Sequence, residues 1–174
     1  MRKSYFPAGA ARWWPGRIVA VLSALLFTAA AAIASGEAPV DLVVVLKSDR
    51  EMYLYRDGLP VRRYDIQLGS EPNGHKRREG DGRTPEGAYL LDWRNPDSRF
   101  YKSIHVSYPN RRDMTAAMRR DVDPGGQIMI HGQPWYAGTP RVGDWTDGCI
   151  AVSNKAMDEL WRLVPEDTRI HIYP

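Results

Sequence analysis

The chain has 174 residues, 43% of them hydrophobic and 26% charged, with one cysteine. That is material for one domain, enough to bury a core without staples, and a single cysteine excludes an internal disulfide framework. The formal charge of +3 owes its sign to Arg2, Lys3, Arg12 and Arg17. Without these four, 20 basic residues face 21 acidic ones, so charge gives no ground for a nucleic-acid partner and none is expected.

After the basic start, Ile18 to Ile33 is almost wholly apolar, and Ala32-Ile33-Ala34 offers a small-x-small cleavage site before Ser35. Residues 1–34 therefore read as a secretory leader, cut after Ala34, that sends the rest of the chain across a membrane. The alternative is an uncleaved signal anchor with Trp13 and Trp14 at the membrane interface, the only membrane contact expected. The apolar run is shorter than the roughly 20 residues a spanning helix prefers. Residues 35–38 are a linker, and 39–174 form one domain.

Asp41 to Lys47 is a β-branched run of strand length, and Met52 to Tyr55 a second strand. Asp57-Gly58 signals a hairpin turn, from which Val61 to Leu68 returns as a third strand, giving a β-meander. From Gly69 to Pro85 the composition shifts to Gly, Pro and charge. Lys76, Arg77, Arg78 and Arg83 could hold a carboxylate or phosphate there. The plainer reading is a solvated loop balanced by Glu79 and Asp81. Its glycines lack the Gly-Lys-Ser/Thr ending of a phosphate-binding loop.

Gly87 to Trp93 and Ser103 to Ser107 are further strands. Asn110 to Arg120 suits a short surface helix, and Asp123 to Gly126 a turn before the strand Gln127 to His131. Ser153 is the expected N-cap of a helix through Leu163, whose Met157, Leu160 and Trp161, with Val164, lie at core spacing. Arg169 to Tyr173 closes the chain as a strand. The pattern is mainly β with a few helices (α+β).

The chemistry concentrates between Ile128 and Asn154. Cys149 follows a glycine, and His131 ends an apolar strand 18 residues earlier. That interval is too long for one helix face, but neighbouring strands can bring both side chains to a shared end. A free cysteine is usually a small buried apolar residue. In an exported chain an idle thiol is a liability, and a thiol beside an imidazole is the minimum set for a cysteine nucleophile. Gly148 lets the main chain approach a substrate, and Gly132 leaves room beside the imidazole. By alternation His105 shares a face with Ser103 and Ser107, where it lines the cleft or lies on the surface. His75 and His171 receive no role. One cysteine and scattered histidines give no metal-ligand spacing, so neither metal nor organic cofactor is expected.

Ile130-His131-Gly132, the interval that follows, and Thr146-Asp147-Gly148-Cys149-Ile150 resemble the signature of the L,D-transpeptidase (YkuD-type) family. The resemblance runs from about Val43 to Tyr173 and includes Arg83-Thr84-Pro85-Glu86-Gly87. Gly74-His75-Lys76, Gly80-Asp81-Gly82 and His105 to Asn110 are similar to its YafK-like branch. The resemblance implies a β-sandwich or mixed-sheet catalytic domain acting on peptidoglycan stem peptides. Cys149 would form a thioester, with His131 as general base oriented by the Gly132 carbonyl, and the N–H groups of Gly148 and Cys149 as oxyanion hole. Thr146, Asp147, His105, Tyr108 and Arg83 would contact substrate.

Two positions depart from the family pattern. Asp147 stands where a histidine is usual, and Ala151 where Arg or Asn is frequent. An ionised acid there raises the thiol pKa, so Asp147 is expected to hold the turn or bind a substrate amine. The branch resemblance also implies an alternative outcome, a cysteine amidase that hydrolyses stem-peptide links or links between peptidoglycan and an envelope protein. A non-catalytic peptidoglycan-binding domain is the alternative from another class.

Overall fold

The computed structural model describes residues 37–135 and 138–174. The expected leader, its cleavage point and the first half of the linker lie outside them. The elements run β1 (Leu42–Leu46), β2 (Glu51–Arg56), β3 (Leu59–Asp65), β4 (Gly87–Ser98), β5 (Tyr101–Val106), α1 (Arg111–Met118), β6 (Met129–His131), β7 (Ile150–Ala151), α2 (Asn154–Leu163) and β8 (Thr168–Tyr173).

All eight strands form one mixed sheet in the order β3-β2-β1-β8-β4-β5-β6-β7. The meander expected of β1 to β3 is present as antiparallel pairs. The last strand inserts beside the first, with Leu42 opposite Arg169 and Leu46 opposite Tyr173 in parallel register. Alternation explains the burial. Val43 and Val45 of β1, Met52 and Leu54 of β2, and Ile170 and Ile172 of β8 all turn into one core. The sheet curls until its far edges meet: Gln67, just beyond β3, exchanges two backbone hydrogen bonds with Ala151 of β7, at 2.9 and 2.8 Å. A single curled sheet thus takes the place of two separate layers.

Both helices start on sequence-encoded caps. Ser153 Oγ accepts from the Ala156 N–H, and α2 buries Ala156, Met157, Leu160 and Leu163. Trp161 is only half-buried at the rim, beneath Arg94 and Lys102. Asn110 and Asp113 form a capping box that starts α1. β4 runs five residues beyond its expected end, through Pro96. Ladder irregularities between Leu91 and Arg94 and between Asn95 and Ser98 let a proline sit where no donor is needed. β6 starts two residues late because Gln127 adopts φ 55°, a left-handed bend that breaks the strand.

The loop from 69 to 86 is not a solvated coil, which corrects the plainer sequence reading. Lys47, at the end of β1, is 2% exposed. Its ammonium donates to the carbonyls of Gly74 and Thr84 and to Glu86, at 2.7, 3.0 and 2.8 Å. Burial pulls its pKa below the ordinary lysine value despite the Glu86 carboxylate. Within the loop, Asp81 accepts from Lys76 and from the N–H groups of Arg77, Arg78 and Arg83. Burial alone would raise the Asp81 carboxyl, but these donors hold it below the ordinary range.

Removing one partner from such a cluster leaves buried acceptors without a donor. Lys47→Ala is expected to cost about 2–4 kcal/mol of unfolding free energy, measured by urea denaturation. A loss below about 0.5 kcal/mol, the scale of a surface substitution, would show that the loop is held by other contacts.

Candidate active site

Parallel pairing of β6 with β7 sets Ile130 against Ile150 and His131 against Ala151. Extending that register by one residue brings Cys149 beside Met129, whose N–H reaches the sulfur at 3.4 Å. The thiol itself donates to the Gln127 carbonyl at 3.6 Å. The tight turn that delivers it is held by Thr146, which is buried. Its hydroxyl donates to the Cys149 carbonyl at 2.7 Å and accepts from the Gly148 N–H at 3.2 Å. Gly148 has φ 119°, and a Cβ there would lie 2.5 Å from the Arg83 carbonyl oxygen, so glycine is required on both counts.

His131 is 3% exposed. A carbonyl can only accept, so Nδ1 carries the hydrogen that bonds to the Gly132 oxygen at 2.7 Å. Nε2 is left as the basic lone pair and has no hydrogen-bond partner among the described residues. Phe100 stacks on the imidazole with ring centres 4.6 Å apart, and Trp145 meets it edge-on at 5.6 Å. The Trp145 indole N–H donates to Gln67 Oε1 at 2.6 Å, and Arg141 covers the outer face of the indole. Gly132 has no room for a side chain: a Cβ would fall 2.5 Å from Asn154 Oδ1 and 2.9 Å from Tyr101 Cβ. Sequence reasoning missed Phe100, Trp145 and Gln67. Only Trp145 carried a local signal, as the neighbour of Thr146.

Burial pushes the Cys149 thiol above its ordinary value, against the Met129 N–H that lowers it, and the Asp147 charge pushes it further. Burial likewise lowers His131, opposed by its bond to Gly132. Both shifts favour uncharged forms, so the resting pair is thiol and neutral imidazole. The arrangement suits attack by sulfur as its proton leaves, with Nε2 free to take that proton.

The other expected site residues divide. Asp147 is exposed at the tip of the turn, and Arg83 backs the turn through its carbonyl. Gly148 is part of the turn, but its N–H is already bonded to Thr146. The Cys149 N–H has no such partner among the described residues and is the better oxyanion donor of the two. Tyr108 is in the core, 3% exposed, with its hydroxyl bonded to the Pro124 carbonyl. It is not brought to the thiol, because its ring packs against His75 and Tyr89. His75 links the Glu86 N–H to Asp113. His105 lies on the same face as Ser103, paired with Asp92.

A cleft of about 510 Å³ lined by Gln67, Gln133, Trp135, Arg141, Ala151 and Asn154 runs beside the base. A larger one, about 720 Å³, lies between α1 and the end of β8; neither cleft is lined by Cys149 or His131, but the smaller includes Ala151, the register partner of His131. The chemistry of the smaller cleft's neighbours, and not volume, marks the site. Among the described residues, no three His, Cys, Asp or Glu side chains converge as metal ligands.

Comparison with known proteins matches residues 40–172 to the YkuD family model, described as an L,D-transpeptidase catalytic domain. The chain is 31% identical over 134 residues to the putative L,D-transpeptidase YafK of Escherichia coli K12, covering 71% of this chain and 46% of that protein. Among solved structures it is similar to the helical cell shape determining protein Pgp2 of Campylobacter jejuni. The K307A form has a TM-score of 0.62 at 29% identity and covers 79% of this chain and 48% of the other. An L,D-transpeptidase from Xylanimonas cellulosilytica shares the fold at TM-score 0.52 and 19% identity, over 79% and 62% of the two chains. The chain thus spans about half the length of the curated relative it matches.

Alkylation of Cys149 by iodoacetamide should remain slow at neutral pH and rise only above the ordinary thiol value of 9.0. Asp147→Asn should move that rise to lower pH, because a like charge disfavouring the thiolate is removed. A labelling midpoint near pH 7 would contradict a neutral resting pair. His131, held below 6.5 by burial, also makes stability pH-dependent. Its contribution is fully present above 6.5 and is lost as pH falls through that value toward the lower folded-state value. His131→Gln should flatten this acid limb in thermal melts between pH 7 and pH 5.

Proposed function

The chain belongs to the L,D-transpeptidase (YkuD) family, and from that premise we propose that it is a cysteine acyltransferase of peptidoglycan stem peptides. The observation that carries the proposal is His131 beside the strand that Cys149 leads, with Nδ1 committed to Gly132 and Nε2 left unpaired. Sulfur attacks a stem-peptide carbonyl as His131 Nε2 takes the thiol proton. The developing oxyanion faces the Cys149 N–H. Collapse breaks the carbon–nitrogen bond, and His131 returns the proton to the departing amine, leaving a thioester on Cys149. An incoming amine then attacks, losing its proton to His131, and the sulfur leaves as thiol. The product is a new amide.

Water in place of the amine would make the same chain an amidase, releasing a stem residue or a linked envelope protein. The same neutral base can take a proton from an amine or from water, so the transfer reading rests on the match to the L,D-transpeptidase family model. The leader pattern supports a site of action outside the cytoplasmic membrane, where stem peptides are found. The similarity to Pgp2, a helical cell shape determining protein, supports a part in wall remodelling.

Incubation of the chain with defined tetrapeptide stems, with and without an amine acceptor, tests this by mass spectrometry. Expected are a thioester adduct on Cys149, a transpeptidation product with acceptor, and loss of both in Cys149→Ala. His131→Gln should slow acylation by about 10²–10⁴-fold. The rate in wild type should be level through neutral pH and fall below pH 6.5 as His131 gains a proton. Binding of stems without an adduct, unaffected by Cys149→Ala, would instead identify a binding domain.

A further inference from the structure

A second cluster of polar groups stands one strand away from the base. On β5, His105 pairs in register with Met129 and Ser103 with His131. Partners in an antiparallel pair share a face, so His105 and His131 are diagonal neighbours, ordinarily about 7–8 Å apart. The ladder irregularity of β4 between Leu91 and Arg94 spans Asp92 and Trp93, and both meet His105. Asp92 Oδ1 lies 2.7 Å from Nδ1. The Trp93 indole stacks on the imidazole with centres 4.7 Å apart and planes 17° from parallel.

A carboxylate only accepts, so Nδ1 carries the hydrogen of this bond, and Nε2 has no hydrogen-bond partner among the described residues. Among the described residues no Lys or Arg pairs with Asp92. The cluster is reachable, with side-chain exposures of 12% for His105 and 32% for Asp92, and Trp93 is 38% exposed. A carboxylate that no Lys or Arg among the described residues neutralises and an open indole face favour one kind of ligand. Each attracts a donor of N–H bonds, above all a positively charged one.

We propose that Asp92, Trp93 and His105 form a subsite for a primary amine of the substrate, beside the base His131. This rests on the reading of Cys149 as the acylated residue. Two sources of that amine share the chemistry: a side-chain amine of a diamino acid in the acylating stem, or the acceptor amine. Cys149 and His105 flank Met129 from opposite sides, two strand spacings or about 10 Å apart, a span that an extended diamino-acid side chain and its hydrogen bond can bridge.

The test uses two synthetic stems, one with lysine at the third position and one with norleucine, which differ only by the amine. At limiting stem concentration the lysine stem is expected to acylate Cys149 about tenfold faster, the scale of one charge-assisted hydrogen bond. Asp92→Asn and Trp93→Leu should remove that preference while leaving acylation by the norleucine stem unchanged. Loss of preference in this arm assigns the subsite to the donor. A loss confined to the partition of the norleucine acyl-enzyme between glycinamide and water assigns it to the acceptor. Unchanged preferences in both arms, or equal slowing of all substrates, overturn the proposal.

A second measurement is independent of the chemistry. In the Cys149→Ala chain, Nα-acetyl-lysine amide but not Nα-acetyl-norleucine amide, which has no primary amine, should shift the ring resonances of His105. If that shift occurs while the wild type forms no thioester, the subsite stands and the acyl-enzyme reading fails. Thioester formation without any shift refutes the subsite alone.

Discussion

The two hydrogen bonds exchanged by Gln67 and Ala151 fasten the far edges of the eight-stranded sheet to each other, and the thiol stands at that seam. Without the closure, β7 would be a two-residue edge strand held by β6 alone, too short to fix the turn before it. With it, the turn is gripped from both sides. Gly69 pairs with Thr146, the Arg83 carbonyl presses on Gly148, and Thr146 ties the turn to its own carbonyl. Gln67 also holds the indole of Trp145 over His131. One short segment after β3 therefore positions both the Cys149 turn and the His131 surroundings, although it contributes neither side chain.

The loop that completes this grip is anchored by charge buried with full partnership. Lys47 and Lys76 are each about 2–3% exposed; Lys47 bonds to a carboxylate and two main-chain carbonyls, and Lys76 to a carboxylate and one. A buried ammonium with fewer partners would cost more than the loop's ordering returns. The same low-polarity surroundings drive the thiol and imidazole toward neutral forms. The pair thus differs from a thiolate–imidazolium couple. A neutral thiol is also slower to oxidise than a thiolate.

Local structure was largely legible. The alternation in β1, β2 and β8 and the Ser153 cap each rest on neighbouring residues, and the observed α2 begins at Asn154 and ends at Leu163 as its spacing indicated. The Asn110 to Asp113 capping box was equally local but is hidden by a helix of weak apolar patterning. The long loop was misread for a physical reason. A list of charges has the same balance whether they are solvated or buried against one another, and Asp81 distinguishes the two only by which donors surround it. Likewise Tyr108 sits among residues that resemble a functional motif, yet its ring packs in the core.

Taken alone, the chain's order of residues determined a mainly β domain, a lone cysteine and a histidine in one segment, and a resemblance that named the family. Those features depend on periodicity and on short spacings, which the covalent chain enforces. The tertiary structure alone decided that the last strand lies beside the first, that the sheet closes through Gln67, and that Asp92 and Trp93 meet His105. Each of these pairs groups whose mutual attraction no local pattern records, because the contact exists only after the whole sheet has curled.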